Sequence, residues 1–219
     1  MKAAIRNTLR DIVIYFVLCI AVFLMLKMAI LYSSFETDVA FLQFKQDYLH
    51  IQTWVVAFYV HVFSSVLALM AGLTQFSPYV LRHHRPLHRI VGRIYVIDIL
   101  IINFPAAMIM AYYANGGLPS KIAFTLLDTL WFLFTLKAFL LARQGNIKAH
   151  KEFMIRSYAL TFSAITLRTW KIILTNTTDL SPETIYMIDG WLGFVPNLLL
   201  AEWIIRRKRK NALSTGGRN

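Results

Sequence analysis

The stretch from Ser77 to Tyr95, SPYVLRHHRPLHRIVGRIY, constrains this chain more than any other. It sets three histidines (His83, His84 and His88) and four arginines (Arg82, Arg85, Arg89 and Arg93) between two long apolar runs. So much charge cannot lie in hydrocarbon, whereas runs of that length and apolarity cannot easily stay out of it. The stretch is therefore a turn at a membrane surface, and the rest of the chain threads a bilayer on either side of it. Composition agrees: 58% of the 219 residues are apolar, which leaves too little polar surface to clothe a soluble domain.

The 23 Lys and Arg against 11 Asp and Glu do not indicate nucleic-acid binding. The basic residues stand in short clusters beside the apolar runs, not along one soluble face. Cys19, the one cysteine, lies inside the first run, so neither a disulfide framework nor a multi-cysteine metal site is available. The first run is too long for a signal peptide and lacks a small-residue cleavage pattern, so it is expected to be an uncleaved helix.

Six spans are expected, at residues 11–33, 54–76, 92–114, 121–142, 153–175 and 186–205, each near the ~20 residues that cross ~30 Å of hydrocarbon. The connectors alternate in charge. Lys2, Arg6 and Arg10 precede the first span, Arg143, Lys148, Lys151 and Arg156 flank the turn after the fourth, and Arg206 to Lys210 close the sixth; Glu36, Asp38, Asp47, Asp179 and Glu183 occupy the intervening connectors. The positive-inside rule then places both termini in the cytoplasm. Residues 1–210 form a single all-α transmembrane domain on this reading, and residues 211–219 a disordered tail. Trp54, Trp170, Trp191, Trp203, Tyr32, Tyr112 and Tyr113 are assigned to the interfacial belts. Mid-span Asn103, Asn197, Pro105 and Pro196 are assigned to packing and kinks.

A weak repeat relates two hairpins. The turn after the second span ends in His88-Arg89 and then Arg93-Ile94-Tyr95; the turn after the fourth ends in His150-Lys151 and then Arg156-Ser157-Tyr158. An axis along the membrane normal would set His88 and His150 at equal depth. Two imidazoles so placed suit axial ligation of a haem b iron, with Arg89, Arg93 and Arg156 as propionate partners. The alternative is that the same basic residues only meet lipid phosphate; His83 and His84 are expected to be solvated.

A second constellation is defined by depth. His61, Asp128 and Arg168 each fall about seven residues inside one end of their spans, which places them roughly 10 Å below that interface. Lys27 lies at a similar depth. Isolated charges there are costly, so these groups are expected to face inward, with Asp128 paired to Arg168 and His61 hydrogen-bonded to either. On the alternative, in which the network only fixes packing, Lys27 and Lys171 snorkel outward. The cluster would form a polar pocket for a quinone, a proton route or a small polar or anionic ligand; the alternative is a network that only fixes packing. No phosphate loop, HExxH motif or Ser-His-Asp order on loops is present, so soluble-style hydrolysis is not expected.

His61, Ala71 to Phe76 (AGLTQF), Arg82, the LHRIVGRIY element, AHKEFMIRSYAL with Arg168, and Pro196-Asn197 with Glu202 resemble a family of predicted bacterial membrane proteins filed as domain of unknown function 2306. The resemblance runs over residues 55–203 and implies a multi-pass protein of the bacterial inner membrane, with no established reaction. A looser resemblance is to the six-helix transmembrane cytochromes b, whose four central helices carry two haems. It implies a central bundle of spans two to five, with His88 and His150 matching one ligand pair. Span four offers Asp128 where the second pair would need a histidine, so one haem is implied. The partners expected are the lipid bilayer, a quinone or small polar ligand, and further subunits of a membrane complex; nucleic acid is excluded.

Overall fold

The apolar runs of this sequence can satisfy their backbone groups in hydrocarbon only as helices, and among the described residues the fold contains no strand. The computed structural model describes the backbone of residues 2–216 and the side chains of residue 9 and residues 12–211. Ten α-helices are described: α1 (Lys2–Leu31), α2 (Gln52–Gln75), α3 (Pro78–His83), α4 (Arg85–Ile97), α5 (Phe104–Tyr112), α6 (Gly117–Arg143), α7 (Ile147–Thr161), α8 (Ser163–Thr177), α9 (Pro182–Leu192) and α10 (Val195–Gly216). A π-helical segment, Asp98–Asn103, joins α4 to α5.

Among the described residues, five helical stretches are long and apolar enough to cross a membrane: Ile12–Ser34, Gln52–Gln75, Arg85–Tyr112, Gly117–Arg143 and Pro182–Asn211. The span expected at 153–175 falls instead on two 15-residue helices, α7 and α8, which meet at Phe162. Of the tail expected to begin at residue 211, α10 includes the backbone up to Gly216. Residues 217–219, and the side chains of Lys2, Arg6 and Arg10, lie outside what is described.

The chain clusters into two compact units, Met1–Ala106 and Ala107–Asn219. In the first unit, α1 buries one stripe, Leu18, Ala21, Val22, Met25, Ala29 and Tyr32, at three- and four-residue spacing. It packs on α2, while Phe16, Phe23 and Ile30 stay exposed for lipid. Two 3-10 segments, Tyr32–Ser34 and Ala40–Tyr48, bridge α1 to α2. They close over a ring cluster in which Trp54 stacks on Phe58 and the Tyr32 ring meets Phe58 edge-on, with centroids 5.6 and 5.0 Å apart. Trp54 and Tyr32 are thus packed in the core of this unit, at 0% and 1% exposure, whereas Trp203 and Tyr112 are exposed. Lys45 is buried there with its Nζ 4.8 Å from the Tyr48 ring centroid, a cation over an aromatic face.

In the second unit, α6 and α7 form an antiparallel hairpin cross-linked by polar side chains. Trp131 Nε1 donates to Thr161 Oγ1 at 3.0 Å, the hydroxyls of Thr135 and Ser157 lie 2.7 Å apart, and the His150 ring bonds the Ala138 carbonyl. Hydroxyl and indole groups on facing helices satisfy one another where water is scarce. Gly145, at a φ of 76°, makes the turn between them, and the Asn146 side chain caps α7 by accepting from the Ala149 amide.

The α7–α8 break faces the break between α9 and α10. Pro196 has no amide proton to donate, so the second helix opens near Gly193. The Gly193 carbonyl accepts from Thr166 Oγ1 at 2.5 Å and Asn197 Nδ2 at 3.0 Å, and the same Nδ2 reaches Thr166 Oγ1 at 2.9 Å. A β-carbon on Gly193 would lie 3.0 Å from Leu167 Cβ, so the two broken helices touch through a residue that has none. Irregular backbone at membrane depth persists where neighbouring groups re-satisfy it.

Candidate functional site

His88 and His150 occupy equivalent places in their helices, each the fourth residue, of α4 and α7 respectively. They belong to different units. In the first unit, His88 is half-buried and its backbone carbonyl accepts from Gln75 Nε2 at 3.1 Å. Arg89 and Arg93 are exposed, as are His83 and His84. In the second, His150 Nδ1 lies 2.8 Å from the Ala138 carbonyl oxygen. A carbonyl can only accept, so Nδ1 carries the proton, and in the neutral ring Nε2 presents its lone pair. Arg156, the expected propionate partner, holds Glu202 in a two-pronged pair, Nε to Oε1 at 2.5 Å and Nη2 to Oε2 at 3.1 Å.

The residues grouped by depth also divide. His61 is half-buried on α2 in the first unit, and its carbonyl accepts from Ser65 Oγ at 2.5 Å. Asp128 is buried on α6 in the second unit, and Arg168 is half-buried on α8, with Nη1 donating to the Ala164 carbonyl at 2.5 Å. The expected Asp128 to Arg168 ion pair is not formed among the described residues. Lys27 lies on the exposed face of α1; its four-carbon stem lets the ammonium reach toward headgroups, which removes the need for an interior partner.

What the second unit does assemble is a different acid and base set. Asp189, a carboxylate outside the set grouped by depth, is fully buried on α9, and among the described residues neither carboxylate oxygen has a side-chain hydrogen-bond partner. It interacts electrostatically with half-buried Lys171 on α8, and Lys171 in turn with Arg168. The contact of Leu167 with Gly193 sets the register: one turn nearer the Thr177–Pro182 end, α8 offers Lys171 and α9 offers Asp189. Lys171 is half-buried there. Both residues stand roughly 10 Å inside that end of their helices, by the 1.5 Å rise per residue.

Gly190 seats α9 on α6, its would-be β-carbon 3.4 Å from the Phe124 ring and 3.7 Å from Ala123 Cβ. Asp128 thus lies about one turn farther along α6 than the level of Asp189. Ser120, one turn before Phe124, is fully buried, and its hydroxyl has no hydrogen-bond partner among the described groups. The sequence carried a signal for Asp189 that depth-matching among histidines and arginines passed over: a lone carboxylate inside the apolar run IYMIDGWLG.

The model of a family described as predicted membrane protein (DUF2306) matches residues 58–205, well over half of the chain. No curated protein and no solved structure matches it, transmembrane cytochromes b included.

Proposed function

From the premise that the chain belongs to the DUF2306 family of predicted membrane proteins, we propose that it holds a small polar or anionic ligand in its second unit. Lys171 and Arg168 anchor the ligand and Asp189 accepts a hydrogen bond from it. The protein is an integral, multi-pass membrane protein with several apolar helices. On this proposal α7 and α8 together make a sixth crossing, the basic connectors and both termini face the cytoplasm, and the membrane is the bacterial inner one.

The observation that carries the reading is the Asp189 carboxylate, fully buried and without a side-chain hydrogen-bond partner among the described residues, at the level of Lys171 where two helices break. A carboxylate so placed is costly unless a partner completes its hydrogen bonding, and discontinuous helices line polar binding sites in membrane proteins. The immediate set carries two cations against one anion, which favours an anionic group or a carbonyl-bearing head such as a quinone. The test is a thermal-stability screen of the purified protein with short-chain quinones, small carboxylates and phosphate. A ligand that stabilises the wild type should lose at least tenfold in affinity in Arg168→Gln and recover partly in Arg168→Lys. Equal responses of wild type and Arg168→Gln to every probe would refute the site.

A second reading, haem-b electron transfer, is favoured by one separate observation, the fixed tautomer of His150. Histidines that ligate a metal through one ring nitrogen characteristically donate the other N–H to a backbone carbonyl or carboxylate. His150 would supply the imidazole, and haem would supply one-electron chemistry. The engagement of Arg156 by Glu202 means a propionate would have to share or displace that partner. An absorption spectrum before and after dithionite, with haem precursor supplied during expression, tests it. Sharp reduced bands that vanish in His150→Ala, compared alongside His88→Ala, would support the reading; a colourless folded protein would sink it.

A further inference from the structure

The first unit holds a second buried carboxylate that neither reading above uses. Asp98 is 2% exposed and opens the π-helical segment in the middle of the Arg85–Tyr112 span; Asn103, fully buried, closes it. Across from them, α2 presents Ser64 and Ser65, both buried. Asn103 Nδ2 lies 3.2 Å from both Asp98 Oδ1 and Oδ2 and 2.8 Å from Ser64 Oγ, while Ser65 Oγ donates to Asn103 Oδ1 at 3.2 Å. Four polar side chains thus converge on one point between α2 and the π segment.

Two features set this cluster apart from a packing network. The first is charge. The groups acting on Asp98 are Asn103 and Ser64, both neutral. Tyr59 and His61 on α2, and Arg85, His88, Arg89, Arg93 and Tyr95 on α4, are the titratable groups of the two helices packed against this segment, and the groups that act on its carboxylate are the neutral Asn103 and Ser64. A carboxylate in hydrocarbon without a counter-charge is costly enough that it takes up a cation.

The second feature is backbone shape. The Phe104 amide reaches back five residues to the Ile99 carbonyl, so the turn is one residue wide of α-helical. Such bulges concentrate at functional sites because they re-aim side chains and loosen backbone carbonyls. Here the wide turn brings Asp98 and Asn103, five residues apart, to the same face.

We propose that Asp98, with Ser64, Ser65 and Asn103, forms an intramembrane site for a monovalent cation, taken up as a proton or as a sodium ion. The donor set is all oxygen: a carboxylate, the Ser64 hydroxyl and one amide, with Ser65 orienting that amide, which suits hard cations and not soft ones. Asn103 works in both states. With its NH2 toward Asp98 it satisfies the ionised carboxylate; turned by half a revolution, it offers its amide oxygen to a cation lying between Asp98 and Ser64. With the amide turned, Ser64 Oγ donates to the Val60 carbonyl and keeps its lone pairs for a cation, while Ser65 Oγ donates to the His61 carbonyl and accepts from the turned Asn103 NH2, holding the amide in place.

The test uses the purified full-length protein in detergent. Infrared difference spectra of wild type against Asp98→Asn, from about pH 5 to about pH 9, would show a protonated-carboxyl band belonging to Asp98 if the cation is a proton. Thermal unfolding in sodium, potassium and choline chloride at matched ionic strength would show stabilisation specific to sodium, absent in Asp98→Asn, if it is the metal ion. Ser64→Ala keeps the charge and removes one oxygen, so it should shift the midpoint of whichever titration is observed by threefold or more in concentration. An Asp98 that stays ionised across that range, in a wild-type protein whose unfolding ignores the identity of the cation, would overturn the proposal without reference to any variant.

Discussion

Gly92 sits against the side chain of Gln75. A β-carbon on residue 92 would lie 3.0 Å from Gln75 Oε1, and the Nε2 of that glutamine donates to the His88 carbonyl at 3.1 Å. The glycine of the His-Arg-x-x-Gly-Arg-x-Tyr element and the glutamine of the Ala-Gly-Leu-Thr-Gln-Phe element are therefore two halves of one contact between α2 and α4. Replacing Gly92 by Ala should be near neutral, because the ~1 kcal/mol gained in helix propensity offsets a weakened Gln75 bond of about 1 kcal/mol. Gly92→Leu overpacks the contact and should cost about 1–3 kcal/mol. Thermal unfolding in detergent distinguishes the two.

Gly193 is less forgiving. Its would-be β-carbon meets Leu167 Cβ and the Asp189 carbonyl, both at 3.0 Å, and the Leu167 backbone at 3.3 Å. Backbone cannot step aside as the end of a glutamine can. Gly193→Ala should therefore destabilise by about 1–3 kcal/mol and should weaken any ligand response that depends on Lys171 and Asp189, since it forces α8 and α9 apart.

Thr135 donates to the Trp131 carbonyl and shares a 2.7 Å contact with Ser157. Thr135→Val preserves shape and removes the hydroxyl, so the α6–α7 hairpin should lose about 1 kcal/mol, the size of inter-helix hydrogen bonds in membranes. A double-mutant cycle with Ser157→Ala would measure the coupling directly.

Arg156 and Glu202 join α7 to α10. Glu202 is 38% exposed, so solvent screens the pair and the coupling should be about 1 kcal/mol. Arg156→Lys should forfeit most of it, because a point-charge ammonium cannot make the two parallel bonds of a guanidinium.

At the end of the same two helices, Arg209 donates to Glu152, with Nε to Oε1 at 2.7 Å and Nη2 to Oε2. The hydrogen bonds from Arg209 hold the Glu152 carboxyl below its ordinary value of 4.5, despite the opposing effect of burial. A carboxylate with a lowered folded value contributes stability above its unfolded value and loses it as pH falls through the folded one. The wild type should therefore lose α7–α10 stability on acidification below about pH 4.5, and Arg209→Ala should remove that component of the pH dependence. Unfolding midpoints of the two proteins across an acid series would test this.

Expectations drawn from nearby residues agreed with the structure more often than those that required matching distant ones. Five apolar stretches are helices, within a few residues of the expected ends for most of them, because the cost of dry backbone groups acts on each run separately. The assignment of Asn197 to kink packing held for the same local reason: Pro196 beside it cannot donate. Depth-matching gathered His61, Asp128 and Arg168, but equal depth does not fix which way a helix faces. Lys27 turned out exposed, and Asp189 took the place opposite Lys171.

From sequence alone came a helical, multi-pass membrane protein with basic turns, since hydropathy and charge partition between water and lipid whatever the neighbours are. Only the tertiary structure decided that Asp98 and Asn103 share a face, which depends on one extra residue in a helical turn. It also decided that Lys171 stands beside Asp189, which depends on Gly193 letting two broken helices touch. Both follow from register and rotation between packed surfaces, energies spread over many contacts and carried by no single residue type.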